Sequence, residues 1–367
     1  MNAVESYLST PVPDRAQHLW RYTPWRHIHP SGTPSDMPEE ISPATVTLTF
    51  LDGTELTNDI TISVATETSE NEYEDDVASA FIRAIATDGT IKINVNEGSV
   101  FEQPLLLTLE SEGDVCGLQV ELNVGRNADC ELITMIESGS NWFGLLRTGI
   151  IGEGAKFNDV VVNRLGASRL LRWERISLGH DSEVKIGTFG IGGIQTKADL
   201  RYLLNGRGCN LIVNGSIFSA GSQHNDHHIE ILHEAPDTFS RLNWHSSCAG
   251  KSRTIGTGML KIAKGAKGSD SAQVFNNLLL SRNAEADSIP ELEVLENEVV
   301  GCGHGTANGP VDEEQMFYLE SRGFTEAGAK GIIIAAFLNA TVKEMGSKTM
   351  HSWLNKQLSL GLIADTY

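Results

Sequence analysis

Alternation of apolar and polar residues is the commonest pattern along the chain. "ATVTLTFLDG" (44–53) alternates over its first seven residues and ends on Asp-Gly, as a strand entering a turn does. "TIKINVNEG" (90–98) alternates again. Between them, Val77, Phe81 and Ile85 fall at helical spacing and predict a short helix over 77–86. The first thirty or so residues, with Trp20, Tyr22 and Trp25, read as a helical or irregular cap. Three prolines in "HPSGTPSDMP" (29–38) read as a linker, and "TETSENEYEDD" (66–76) as an acidic, solvated and mobile run.

The centre of the chain repeats. "VGRNADC", "IGEGAKF", "LGHDSEV" and "NGRGCNL" place Gly125, Gly152, Gly179 and Gly206 at steps of 27 residues. Two positions after each glycine stands Asn, Gly or Asp, and then a small residue: Ala128, Ala155, Ser182 or Cys209. Each copy runs on into alternating residues. A fixed period in the twenties, built of short β-rich segments split by one recurring turn, predicts stacked coils. The strict spacing stops after Gly206. "GSDSAQVFNNLLLS" and "AEADSIPELEVLENEVVGC" keep the same texture, which extends the predicted solenoid to about residue 304.

Beyond Pro310 the period changes. Asp312 with Gln315 resembles a capping box, "DEEQMFYLES" reads as a helix closed by Gly323, and Thr325 opens a longer helix. "TMHSWLNKQLSL" predicts a third. The expected fold is mainly β: a parallel β-helix (β-solenoid) core flanked by N-terminal and C-terminal helical regions. The expected divisions are 1–40 (cap and linker), 41–110 (strand and helix lead-in), 111–305 (solenoid) and 306–367 (helical region). A solenoid needs its ends covered, so the last helices can serve as a cover, as a docking element, or as both.

Composition narrows the functions. Of 367 residues, 28 are Lys or Arg and 48 are Asp or Glu, a net charge of −20. That excess argues against nucleic acid and against an anionic membrane surface. The N-terminus lacks an apolar signal core, and "GIIIAAFL" is too short to span a bilayer. Five widely spaced cysteines form neither a disulfide framework nor a CxxC site, so a cytoplasmic location is expected.

The chemistry candidates are few. No GxSxG elbow, no GxxxxGKS or GxxxxGKT phosphate loop and no strand-linked GxGxxG is present. "HNDHHIEILHE" invites a metal reading, but on a strand His224 and His228 would share one face and His227 and His233 the other. Solvated or stacked structural histidines fit that segment better. Asp226, Glu230 and Glu234 are the carboxylates that a polysaccharide lyase or hydrolase built on a β-helix would need in a cleft. Cys302 and His304, in "VVGCGHGTANGP", would lie on one face of a strand, a thiol and an imidazole both suited to iron. Two ligands cannot hold a cluster alone. On chemistry by itself, a buried cysteine and a structural histidine is the plainer reading.

The stretch from about Gln223 to Phe337 resembles the core of the SufB/SufD family of iron–sulfur cluster assembly proteins. The matching pieces are "QHNDHHIEILHEAPDTFSR", "GKSRTIGTGMLKI", "NNLLLSRNAEADSIPELEV", "GCGHGTANGPVDEEQMFYLESRGF" and "AGAKGIIIAAF". Weaker likenesses reach "LWRYTPW" and "FIRAIATDGTIKINV". The resemblance implies a β-helix scaffold without enzymatic activity. It would pair with a SufB-type subunit and recruit a SufC-type ABC ATPase through its C-terminal helices. Where SufB-like chains read HEAT this chain reads "HGTA", and Phe275, Asn276 and Asn277 stand near where SufB-like chains carry a cysteine. The chain therefore reads as SufD-like, with a SufB-like or homodimeric scaffold as the alternative. The resemblance further implies that His304, with Cys302 beside it, helps hold a transient iron–sulfur cluster together with ligands from the partner. It places ATPase docking within Asp312 to Phe337, for which Asp312, Phe317, Tyr318, Arg322 and Phe337 are the candidates. Whether a flavin binds is left open, as is the formation of a homodimer by the isolated chain.

Overall fold

The computed structural model describes residues 2–65 and 76–364. Apart from Asp76, the acidic run 66–76 lies outside the described residues. Short helical pieces open the chain: α1 (Ala3–Ser9), a single 3-10 turn (His18–Trp20) and α2 (Trp25–Ile28). Then follow β1 (Ala44–Phe50), β2 (Ile60–Ala65), α3 (Val77–Ile85), β3 (Thr90–Val95), β4 (Leu105–Ser111) and β5 (Val115–Val124). The middle strands are β6 (Asp129–Ser138), β7 (Trp142–Ile151), β8 (Lys156–Asn163), β9 (Arg169–Leu178), β10 (Glu183–Gly190), β11 (Gln195–Leu204) and β12 (Asn210–Ser219). The last are β13 (His224–His233), β14 (Phe239–Cys248), β15 (Arg253–Ile262), β16 (Asp270–Leu279), β17 (Glu285–Val294) and β18 (Gly301–Pro310). Three helices end the chain: α4 (Glu313–Ser321), α5 (Glu326–Val342) and α6 (Lys348–Ala364).

Consecutive strands alternate between two nine-stranded sheets. The front sheet runs β2-β3-β5-β7-β9-β11-β13-β15-β17, and the back sheet runs β1-β4-β6-β8-β10-β12-β14-β16-β18. Pairing is parallel throughout, except that β1 and β2 close the N-terminal end antiparallel to β4 and β3. This is the expected parallel β-solenoid. Its coils extend to Pro310, six residues past the expected end, because β18 still pairs with β16 along its whole length.

The 27-residue step is the stacking distance between coils: Asp129, Lys156, Glu183 and Asn210 lie in register on the back sheet. The coils then widen. Phe239, Asp270 and Gly301 follow at steps of 29, 31 and 31 residues. That widening is why the spacing stopped being legible after Gly206.

The recurring turn has two parts. A Cβ at Gly206 would overlap the backbone of Gly179 in the preceding coil, and one at Gly179 would crowd Ile151 and Gly152. Two residues on, Asn127, Gly154, Asp181 and Gly208 have φ of 52°, 65°, 50° and 75°, the left-handed region that Gly, Asn and Asp tolerate. The small residues after them, Ala128, Ala155, Ser182 and Cys209, are buried in the corner.

Both outer faces are covered. On the front sheet, Val77, Phe81 and Ile82 of α3 join Trp20, Trp25 and Ile28 against Trp142, Leu146, Leu171 and Trp173. On the back sheet, Ile334, Leu338 and Val342 of α5 and Met350, Leu354 and Leu358 of α6 pack on Ile133, Val160, Phe189 and Phe218. The inner column is aliphatic at one end and becomes polar towards the middle. There Arg147 pairs with Asp159 (2.7 Å) and Glu174 (2.8 Å), Arg172 pairs with Glu174 (2.8 Å), and Tyr202 donates to Glu174 (2.9 Å). Two cations against two carboxylates leave this buried cluster neutral, as burial demands.

Candidate functional site

β17 and β18 are the last strands of their sheets, so their outer edges carry unpaired backbone groups and the inner column of the solenoid is open between them. On β18, Cys302, His304, Thr306 and Asn308 stand in register with Ser271, Gln273, Phe275 and Asn277 of β16, which are all buried inside the coil. The same inward direction, one coil later, has nothing stacked above it. Cys302 is therefore half-buried and His304 exposed, side by side on one face, as the i, i+2 spacing requires. β17 adds Leu292 and Val294, which continue the buried Leu260 and Ile262 and stand exposed at this end.

The chemistry of the pair follows from its setting. Burial, with a smaller contribution from the Asp270 charge, pushes the Cys302 thiol above its ordinary value. The thiol is thus protonated at neutral pH and must lose a proton to bind a metal. Beneath His304, Gln273 Nε2 donates to the Glu291 carbonyl (2.9 Å), while its Oε1 is buried without a hydrogen-bond partner. Cys116, Cys130, Cys209 and Cys248 are buried, and desolvation pushes them up to about 11 or 12, so Cys302 is the accessible thiol among them. Among the described residues no three His, Cys, Asp or Glu side chains converge on a metal position. Cys302 and His304 thus offer one soft and one borderline donor and leave the other positions of any cluster to ligands from outside the chain.

The outer face of β18 is bare. Gly301, Gly303, Gly305, Ala307 and Gly309 alternate with the inward row, and a Cβ at Gly303 or Gly309 would meet nothing of this chain within 4 Å.

The histidine-rich strand β13 divides as its alternation requires. His227 lies inside against Trp244 (centroids 5.0 Å apart), and His233 sits between Thr238 Oγ1 (2.7 Å) and Ser240 Oγ (2.8 Å). Burial holds His227 down at about 3 and His233 at about 4. His224 and His228 face outward under the N-terminal segment. Thr23 Oγ1 donates to Asp226 Oδ2 (2.6 Å) and lies 2.8 Å from His224 Nε2. Asp226 also pairs with Lys197 (3.1 Å), and Glu230 lies 3.6 Å from Arg201. These carboxylates are tied up in ion pairs under the cap, which is not the open acid–base pair that glycoside cleavage needs.

The C-terminal helices form a second surface. Asp312 caps α4 by accepting from the backbone N–H of Glu314 (2.8 Å). Asp312, Tyr318 and Phe337 line one groove of about 720 Å³ with Leu278, Pro310 and Ile332. Phe317 is 74% exposed and stands apart from the groove lining, and Arg322 lies over the Tyr318 ring at 5.2 Å. Phe337 is half-buried and stacked on His245 (4.5 Å), so it is partly structural. Pattern reading missed the Arg147–Asp159–Glu174–Arg172 cluster, because isolated charges in alternating strands do not announce which face they take.

Comparison with known proteins bears on this arrangement. Residues 108–337 match the family model described as SUF system FeS cluster assembly, SufBD core domain. The Escherichia coli iron-sulfur cluster assembly protein SufD is 26% identical over 380 residues, covering 94% of this chain and 89% of that protein. An iron-sulfur cluster assembly SufBD family protein of Mycobacterium tuberculosis is 24% identical over 353 residues, covering 91% and 85%. The matched region spans the solenoid from β4 to the middle of α5 and includes the open end with Cys302 and His304. The chain belongs to the SufBD family of iron–sulfur cluster assembly proteins.

Proposed function

We propose that this chain is a non-catalytic, SufD-like scaffold subunit that meets a SufB-type subunit at the open end of its solenoid. One observation carries this reading: the accessible thiol and an exposed imidazole emerge together where both sheets end in unpaired edges. A cluster built there is cargo, held by Cys302 and His304 on one side and by the partner's ligands on the other. The groove beside α4 and the exposed Phe317 and Tyr318 suit docking of a SufC-type ATPase. The chain carries no phosphate-binding loop of its own, so ATP hydrolysis belongs to that subunit. A cytoplasmic setting fits its accessible reduced thiol, and no described helix is long and apolar enough to cross a membrane.

The test is His304→Ala in a complex co-expressed with SufB-type and SufC-type proteins of the same source. His304 is exposed, so the change should alter stability by no more than about 0.5 kcal/mol. Complex mass by light scattering should be unchanged, and the iron and sulfide recovered per complex should fall. An unchanged cluster yield would make His304 a bystander.

A further inference from the structure

We propose that the free edge of β17 selects a strand from a different chain, one bearing Lys or Arg on its outer face, and disfavours a second copy of this chain. The inference rests on the scaffold reading above and adds the chemistry of the partner. Along β17 the inner positions are Ala286, Ser288, Pro290, Leu292 and Val294, while the outer row reads Glu285, Asp287, Ile289, Glu291 and Glu293. Glu296 and Glu298 follow in the next turn. Every counter-charge comes from the inner side. Arg253 of β15 holds Glu285 (3.2 Å) and Asp287 (2.7 Å), Lys261 holds Glu293 (3.0 Å), Lys267 holds Glu298 (2.8 Å), and His18 of the N-terminal segment lies 3.3 Å from Glu291.

β15 thus shows what a neighbour of β17 looks like: cations at both ends of its outer row, in register with the acids. A strand added on the free side meets the same acids and is stabilised by the same complement, since opposite charges across strands attract and like charges repel. A second copy cannot supply it. No Lys or Arg occurs between Arg282 and Arg322, which spans β17, β18 and α4. A two-fold pairing of like ends places the same surface on both sides. Edge against edge along β17, it would set acid opposite acid. Along β18 it would offer the acids only glycine and alanine.

The experiment uses the full chain and the triple variant Asp287→Asn/Glu291→Gln/Glu293→Gln. Self-association is measured by light scattering and sedimentation at about 0.05 M and about 0.5 M salt, where screening differs severalfold. The wild type should be more monomeric at low salt, and the variant should self-associate on the order of tenfold more tightly. Titration with the SufB-type subunit should show wild-type affinity falling with salt, and the variant should bind on the order of tenfold more weakly. A wild-type homodimer that salt does not affect overturns the proposal. So does a variant whose partner affinity and salt dependence match the wild type, which would make the acids edge protection only. If neither protein binds a SufB-type subunit, the scaffold reading fails together with the choice of partner. The self-association arm then still decides, separately, whether the row repels its own copy.

Discussion

Gly206 and Gly208 do different work two residues apart. At Gly206 the constraint is space, because the backbone of Gly179 in the coil before occupies the position a Cβ would take. At Gly208 it is both conformation, with φ at 75°, and space, since the Asp181 carboxylate lies where a Cβ would go. The alternation Asn127, Gly154, Asp181, Gly208 now has a reason: each Asn or Asp side chain leans over the next coil, which must then be glycine. Gly206→Ala is expected to cost about 1–3 kcal/mol or more by overpacking. Gly303→Ala on β18 meets nothing and should be neutral or stabilising by about 0.5–1 kcal/mol in the isolated chain. Urea denaturation of the two variants checks the contrast, and similar losses at both would refute it. The turn residues were legible from their spacing. Their division into a steric glycine and a left-handed position was not, since a sequence shows which residues recur and not which neighbouring coil they touch.

Among the elements, the helices were easiest to read, because their caps are local. Asp312 and Thr325 cap α4 and α5 at the expected positions, and α3 ends within a residue of expectation. What each helix touches was not readable. α4 buries none of its residues, whereas α5 buries Ile334, Leu338 and Val342 against the back sheet. The five docking candidates separate accordingly. Phe317→Ala removes an exposed ring and should change stability by no more than about 0.5 kcal/mol. Phe337→Ala loses a half-buried ring stacked on His245 and should cost about 2 kcal/mol. If α4 docks the ATPase, Phe317→Ala weakens its capture by the purified complex without shifting the melting temperature. Equal melting losses in the two variants would mean that α4 packs more tightly than its exposure indicates.

At the scale of the molecule, four histidines make folding sensitive to acid. Burial holds His29, His228 and His233 at about 4 and His227 at about 3. Each is neutral when folded but protonates near 6.5 when unfolded, so its contribution is complete above about 6.5 and is lost as pH falls towards 4. Asp76, pushed up to about 6 by burial, works the other way, and it is one group against four. Stability should therefore drop by about 1.4 kcal/mol per pH unit for each net proton taken up. His233→Gln should make that slope shallower by one proton. Denaturation at pH steps from about 7 to about 5 measures it, and a flat profile would rule it out.

The widening of the coils has a consequence of its own. A solenoid of constant coil could stack tail on head without limit and grow into a filament. Here the end that remains open steps by 31 and 32 residues per coil, whereas β6, β8, β10 and β12 step by 27. The opposite end is closed by β1 and β2, which run against their neighbours. Head and tail do not match in perimeter, so the chain can join at its wide end only, and its assemblies stop at a pair.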